Sequence, residues 1–201
     1  METIELVFLA SLLIFLISSV FFYVAGKNKN ILNSAFLVSF ITMISYVLMW
    51  QGGLTVLTAA GQPVFWTRWL FYGASCPLLM YEIAQLKNIK GHKLVELLYL
   101  TAIVMFTGFL AAFNLSEIRW IYFGISSAAY VLLFSKIISL NTKDSQGVNS
   151  YIIFGWTAFP VIFLLAPTGL GLIATVLAES LYLVLDIYTK IVFNIRLGRT
   201  S

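Results

Sequence analysis

Seven long apolar runs occupy nearly the whole sequence, and each approaches the length needed to cross a bilayer. A spanning helix needs about 20 mostly apolar residues. The predicted spans, separated by short segments with charges, glycines and turn-forming residues, are 3–25, 31–50, 63–86, 93–113, 118–140, 150–167 and 170–197. Connections this short place consecutive helices antiparallel. The sequence therefore predicts an all-α membrane protein, a seven-transmembrane-helix bundle formed as a single domain by residues 1–201.

The composition of the chain excludes most functions of soluble proteins. Hydrophobic residues make up 61% of the chain and charged residues 10%, whereas soluble domains carry about 25% charged residues. The single cysteine, Cys76, excludes an internal disulfide. One histidine, His92, offers little material for a metal site, so no metal is expected.

The cations fall mostly on one side of the predicted bundle. That side holds Lys27, Lys29, Lys87, Lys90, Lys93, Lys136, Lys143, Arg196 and Arg199. The other side has Arg119, next to Glu117. Because lysine and arginine concentrate in cytoplasmic loops, we expect a multi-pass protein of the cell membrane with its N-terminus outside and its C-terminus in the cytoplasm. This bias explains the net charge of +4, so nucleic acid is not expected as a partner.

Four ionisable residues lie well inside predicted spans: Arg68 and Glu82 in the third, Asp186 and Lys190 in the seventh. A charge near the bilayer centre costs about 2.5–3.5 kcal/mol on insertion scales, so such residues are candidate functional groups. Asp186 and Lys190 are one helical turn apart and share a face. A buried lysine beside a carboxylate is suited to hold a protonated Schiff base with a counterion. The alternative is a structural ion-pair network with Arg68.

Two further carboxylates have open interpretations. Glu179 precedes Asp186 by two helical turns and shares its face. It is a candidate for a proton path on the extracellular side, but its predicted position near the membrane surface favours a solvated side chain. Glu82 lies near the interfacial end of its span, where solvation is again the alternative.

Several segments resemble the microbial (type 1) rhodopsins. Residues 185–193, LDIYTKIVF, resemble the seventh-helix signature in which the lysine carries retinal. Residues 68–79 resemble the third helix of that family, and residues 156–163, WTAFPVIF, resemble its sixth. Residues 118–129, with IRW followed by SSAA, are similar to the start of the fifth. The matches occur in the correct order and cover essentially the whole chain.

This resemblance implies a covalent all-trans retinal, bound as a Schiff base to Lys190. By their positions in the motifs, the residues that would line its pocket are Tyr72, Trp156, Phe159 and Phe163, with Gly108 and Ser126 near the ring end. The alternative for each of these side chains is an ordinary place in the core of the bundle. Besides retinal, the implied partners are protons, the lipid bilayer and further copies of the chain, with a trimer as the guess.

Function within this family depends on three third-helix positions, which here hold Phe71, Ser75 and Glu82. A phenyl ring cannot accept a proton as the acid of outward pumps does, and it fills the space that chloride pumps leave for an anion. The triplet resembles the schizorhodopsins, which pump protons inward. It implies that Glu82 takes or attracts the proton on the cytoplasmic side, and that reprotonation comes from outside past Asp186 and Arg68.

Ser75 and Cys76 lie between the level of the Schiff base and Glu82, where they are candidates to relay protons or gate water. The alternative for Cys76 is that it is a small buried residue that only packs in the core. Two other functional classes stay open. One is a sensory photoreceptor without net transport. The other is a transporter without photochemistry whose Lys190 and Asp186 bind substrate. None of the three classes is an enzyme.

Overall fold

The computed structural model describes residues 3–26, 30–140 and 146–200, with side chains for all but 30–33, 146 and 197–200. Three of the cations behind the predicted orientation, Lys27, Lys29 and Lys143, lie outside the described residues.

Seven helical rods account for most of the described chain, which confirms the predicted bundle. The first six are α1 (Thr3–Gly26), α2 (Asn30–Trp50), α3 (Thr67–Leu86), α4 (His92–Phe113), α5 (Ile118–Ser139) and α6 (Gln146–Leu165). The seventh rod begins as α7 (Thr175–Asp186), continues through a π-helical turn (Ile187–Val192) and ends as α8 (Phe193–Thr200). Consecutive helices pack side by side, and α1 packs against α7, so the rods close into a ring.

The apolar surface of this ring suits a bilayer. By length and composition, α1, α4, α5 and Gly147–Leu165 of α6 can each cross a membrane, and the apolar part of α2, Ser34–Trp50, is shorter. Large apolar side chains point outward along the helices; Phe154, for example, is 79% exposed. The two rods that carry the intramembrane charges, α3 and the seventh, do not meet the same criterion of length and hydropathy.

A short β-hairpin separates α2 from α3, where the sequence predicts a loop and the start of a helix at residue 63. Strands β1 (Thr55–Leu57) and β2 (Pro63–Phe65) pair antiparallel, with Thr55 opposite Phe65. The prediction was wrong here because strands of three residues are too short to show an alternating pattern. Phe65 packs edge-on against Phe8 of α1, with ring centroids 4.8 Å apart. We call this end of the bundle the hairpin end.

The described cations gather at the opposite end. Lys87, at the end of α3, is buried and its Nζ donates a hydrogen bond to the carbonyl of Ile137 at 3.0 Å. Burial lowers the pKa of this lysine from its ordinary value. Lys136 of α5 pairs with Glu96 of α4 at 2.5 Å. By contrast, Arg119 follows the α4–α5 link at the hairpin end.

Candidate functional site

A cluster of buried charges joins α3 to the seventh helix inside the ring. Arg68, Asp186 and Lys190 are each at most 1% exposed. Asp186 Oδ2 accepts a hydrogen bond from Arg68 Nη1 at 3.0 Å, and Oδ1 lies 2.9 Å from Lys190 Nζ. Arg68 also pairs through Nη2 with Glu179, one step nearer the hairpin end. We call these four residues the charged network.

Tyrosine hydroxyls complete the surroundings of Asp186. Tyr46 of α2 donates to Asp186 Oδ2 at 2.8 Å and accepts from Arg68 Nη1 at 2.9 Å. Tyr72 of α3 donates to Asp186 Oδ1 at 2.9 Å. The guanidinium of Arg68 also lies 4.8 Å from the ring centroid of Tyr182. A buried carboxylate is costly unless it is paired and hydrogen-bonded, and these contacts supply the partners that Asp186 needs inside the bundle.

Lys190 ends at the wall of an apolar cavity. Its Nζ lies 4.1 Å from the centroid of the Tyr72 ring and, among the described residues, makes no hydrogen bond of accepted geometry despite its proximity to Asp186. The space between the surrounding side chains, including the part that opens to the outside of the bundle, has a volume of about 760 Å³. A buried primary amine therefore faces an apolar space between the helices.

Five rods share the cavity wall, which is apolar and rich in aromatic side chains. It includes Trp69, Tyr72 and Cys76 of α3, Met105 and Gly108 of α4, Phe123 and Ser126 of α5, and Trp156, Phe159, Pro160 and Phe163 of α6. The seventh helix contributes Lys190 and Thr189.

The π-helical turn presents Lys190. Tyr151 of α6 donates to the carbonyl of Tyr188 at 2.5 Å, and Asn194 donates to the carbonyl of Lys190 at 2.8 Å. Gly155 of α6 permits the close approach, because a Cβ there would lie 2.9 Å from Thr189 Cγ2. Such turns occur frequently at functional sites, since they interrupt the regular backbone bonding of a helix.

The structure brings the predicted cofactor residues together. The cavity wall contains all seven of them: Lys190, Tyr72, Trp156, Phe159, Phe163, Gly108 and Ser126. Ser126 donates to the carbonyl of Val104 at 2.9 Å, so its hydroxyl is engaged within the wall.

The predicted proton-path residues separate into several places. Arg68 and Asp186 lie in the charged network, and Cys76 lies in the cavity wall. Phe71 is half-buried and belongs to neither, because the next residue, Tyr72, takes the position that faces Asp186. Ser75 is buried, with its hydroxyl beside the thiol of Cys76.

Glu82 lies near the opposite end of α3, beyond the charged network. It is 1% exposed, so the alternative of a solvated side chain does not hold. Ser34 of α2 and Asn194 of the seventh helix lie beside it as polar neighbours. Among the described residues, no cation pairs with its carboxyl group.

The expectation of a solvated Glu179 was wrong. Glu179 is 5% exposed, and its carboxylate pairs with Arg68. The hairpin covers this level of the bundle, which the sequence did not predict.

Sequence reasoning also missed Tyr46, Trp69 and Tyr182. Trp69 directly follows Arg68 in a matched motif, so its position was available as a signal. Tyr46 lies in an apolar helix with no charged neighbour, and only the folded ring shows that its hydroxyl reaches Asp186.

This combination of a seven-helix ring, a buried lysine and an aromatic cavity is found in a known class of protein. The family described as bacteriorhodopsin-like protein matches residues 2–200. The chain therefore belongs to the microbial rhodopsin family, as its sequence motifs predicted. It is a multi-pass membrane protein and a retinal-binding, light-driven transporter or sensor, not an enzyme.

The similar proteins include several kinds of microbial rhodopsin. The crystal structure of schizorhodopsin 4 is 32% identical and superposes with a TM-score of 0.93, covering 100% of both chains. Bacteriorhodopsin of Halobacterium salinarum is 28% identical over an alignment 179 residues long, and the match covers 82% of this chain and 68% of that protein. Sensory rhodopsin-2 of Natronomonas pharaonis is 26% identical over an alignment 168 residues long, and the match covers 78% of this chain and 70% of that protein.

The residues present fit the retinal that the family implies. The cavity offers an apolar, aromatic wall for a polyene, and its one lysine ends with a buried amine that has no hydrogen bond among the described residues. The carboxylate of Asp186, 2.9 Å from that amine, provides the negative charge that a cationic nitrogen needs in a buried site.

Proposed function

We propose that this protein is a light-driven inward proton pump, in which residues 1–201 form one retinal-binding domain with retinal linked as a Schiff base to Lys190. The observation that carries the proposal is an asymmetry between carboxylates. Toward the hairpin end, Asp186 and Glu179 are both engaged with cations. Toward the opposite end, Glu82 is buried and has no cation beside it among the described residues.

This asymmetry sets the direction in which a proton can leave Lys190. Asp186 accepts hydrogen bonds from Arg68, Tyr46 and Tyr72, and each of these stabilises its ionised form. It therefore acts as a counterion and not as an acceptor. Phe71 supplies no acid at its level of α3. A proton on Lys190 Nζ thus has no available acceptor toward the hairpin.

Retinal, when bound, supplies light absorption and an isomerisation that reorients the protonated nitrogen of Lys190. The chain supplies the rest of the path. Ser75 and Cys76 lie between the levels of Lys190 and Glu82 along α3, where a hydroxyl and a thiol can hold water. Glu82 attracts the proton and either holds it briefly or directs it to the cytoplasm. Arg68 and Asp186 lie on the route by which a proton returns to Nζ.

For this flow to be inward, the hairpin end must face outside. The cations at the opposite end support that orientation: Lys87, Lys90, Lys93, Lys136 and Arg196 all lie there. The proposed location is the cell membrane. We also propose that copies associate as a homo-oligomer, with a trimer as the first state to test by cross-linking in membranes.

The test is a light-driven pH measurement on cells that express the protein with all-trans retinal. In an unbuffered suspension, illumination should raise external pH, and a protonophore should abolish the change. Glu82→Gln should keep the visible colour and lose net transport, because an amide cannot take up the proton. Glu96→Gln is the matched control, since it alters a half-exposed carboxyl at the same end.

Other results would redirect the assignment. External acidification would mean outward pumping and contradict the role given to Phe71. A coloured protein that produces no pH change would favour a sensor, the alternative that similarity to sensory rhodopsin-2 keeps open. Undiminished transport in Glu82→Gln would remove that residue from the path.

A further inference from the structure

Glu179 is a buried carboxylate that the proposed proton path does not use. It is the member of the charged network nearest the hairpin end, on the first turns of α7. Its side chain is 7% exposed, against 1% for Arg68 and 0% for Asp186. It is therefore the network carboxylate nearest to solvent.

A small cleft leads to this carboxylate. It lies between the hairpin, the α6–α7 link and α7, and it has room for about one water molecule. Pro63 and Phe65 line it on the hairpin side, Thr168 on the link, and Glu179 and Arg68 at its inner wall. The cleft is separate from the large aromatic cavity that ends at Lys190, so water in it meets the charged network from the hairpin side.

A second polar group faces the same place. Tyr182 is 2% exposed and lies one turn beyond Glu179 on α7. Its hydroxyl lies beside that of Thr168 on the α6–α7 link, and both residues line the cleft. Together with Glu179, these hydroxyls give a water molecule in the cleft the polar partners that a buried water needs.

Charge balance gives this arrangement a function. With Lys190 protonated, the network has two cations and two carboxylates and is neutral. When the proton leaves Nζ toward Glu82, the network holds one excess negative charge in a buried site. Such a charge is costly at low dielectric, so the network draws in a proton from the side on which it is open to water.

We propose that Glu179 is the entry group for the transported proton, an inference that rests on the proposed inward pump. A water molecule in the cleft gives up a proton to form the carboxyl O–H of Glu179. That O–H then breaks as the proton passes through the network to Lys190 Nζ, and Glu179 returns to its carboxylate form. Bulk water outside replaces the proton, so no other reactant is needed.

Several titratable groups surround Glu179 and set the conditions of this step. Arg68 faces it from α3, and Tyr182 and Asp186 lie on its own helix. Tyr46 of α2 reaches it indirectly, through Arg68. The described residues of the hairpin that line the cleft carry no titratable side chain. A proton arriving from the cleft therefore meets Glu179 first.

The test compares flash-induced recovery of visible absorption in membranes containing wild type or Glu179→Gln. The amide can still accept a hydrogen bond from Arg68 but cannot carry a proton. We expect the variant to keep its colour and to recover at least about tenfold more slowly, a modest part of the 10²–10⁴-fold effect of a positioned acid or base. Added formate should restore the rate, and Glu179→Asp should recover nearly as fast as wild type.

Glu117→Gln is the matched control, because it removes an exposed carboxyl at the same end. If Glu179→Gln does not fold, wild type still tests the proposal: its recovery rate should rise with external acidity and then level off as Glu179 becomes protonated. Wild-type recovery in Glu179→Gln, a slow variant that formate does not accelerate, or a wild-type rate that never levels off would each overturn the inference. Failure of the pump proposal is distinct, since wild type would then give no external alkalinisation.

Discussion

Tyr46 shows how one hydroxyl can support two opposite charges. It donates to Asp186 and accepts from Arg68 within the same buried site. Nothing in the sequence singles it out, because the contact joins residues that are 140 positions apart. Asp186 and Lys190, in contrast, could be paired from sequence, since the spacing of one helical turn is local.

We expect Tyr46→Phe to retain the pigment and to lower its thermal stability. The change removes a donor from Asp186 and an acceptor from Arg68, and each unsatisfied buried group costs about 1–3 kcal/mol. The measurement is the temperature at which membranes lose their visible absorption. Tyr99→Phe is the control, because that ring is 69% exposed; an equal loss in both variants would contradict the importance of the buried hydroxyl.

At the scale of elements, the π-helical turn Ile187–Val192 decides where Lys190 points. The sequence predicted a continuous seventh helix, since an extra backbone residue in one turn has no pattern of its own. It likewise predicted the start of that helix at residue 170, whereas the α6–α7 link extends to Ala174. Glu179 is buried because this link and the hairpin cover it. The spacing of apolar residues in the sequence predicts neither of these segments.

Gly155→Ala tests the packing of α6 against that turn. The added methyl would lie 2.9 Å from Thr189 Cγ2 and 3.0 Å from a Tyr188 ring carbon, so the turn must move. Overpacking of this kind costs about 1–3 kcal/mol. We expect lower thermal stability together with a shifted absorption maximum, because Lys190 is the next residue after Thr189.

The matched control for this substitution is Gly124→Ala on α5. No atom lies within 4 Å of a Cβ placed there, and alanine is favoured over glycine inside a helix by about 1 kcal/mol. It should leave the spectrum unchanged and stability equal or higher. If Gly155→Ala keeps the absorption maximum and the thermal stability of the wild type, the turn tolerates the methyl group.

For the whole molecule, the ring of seven rods was the most predictable feature, because spans of apolar residues with short links permit few arrangements.

The side of the membrane that each end faces is predicted from the uneven distribution of lysine and arginine, and cysteine labelling tests it. In intact cells, Ser116→Cys at the hairpin end should react with a membrane-impermeant maleimide. His92→Cys, at the opposite end, should react only after permeabilisation.

Both positions are exposed, and the natural Cys76 is buried, so background labelling should be low. The reverse pattern of labelling would place the hairpin end in the cytoplasm, and the proposed direction of pumping would reverse with it.

The charged network also bears on how the chain enters the membrane. Arg68 arrives in the third span, while its partners Glu179 and Asp186 arrive in the last. Until synthesis reaches them, Arg68, the second residue of α3, has neither carboxylate partner. The buried, paired state of Arg68 therefore forms only when the last helix joins the bundle.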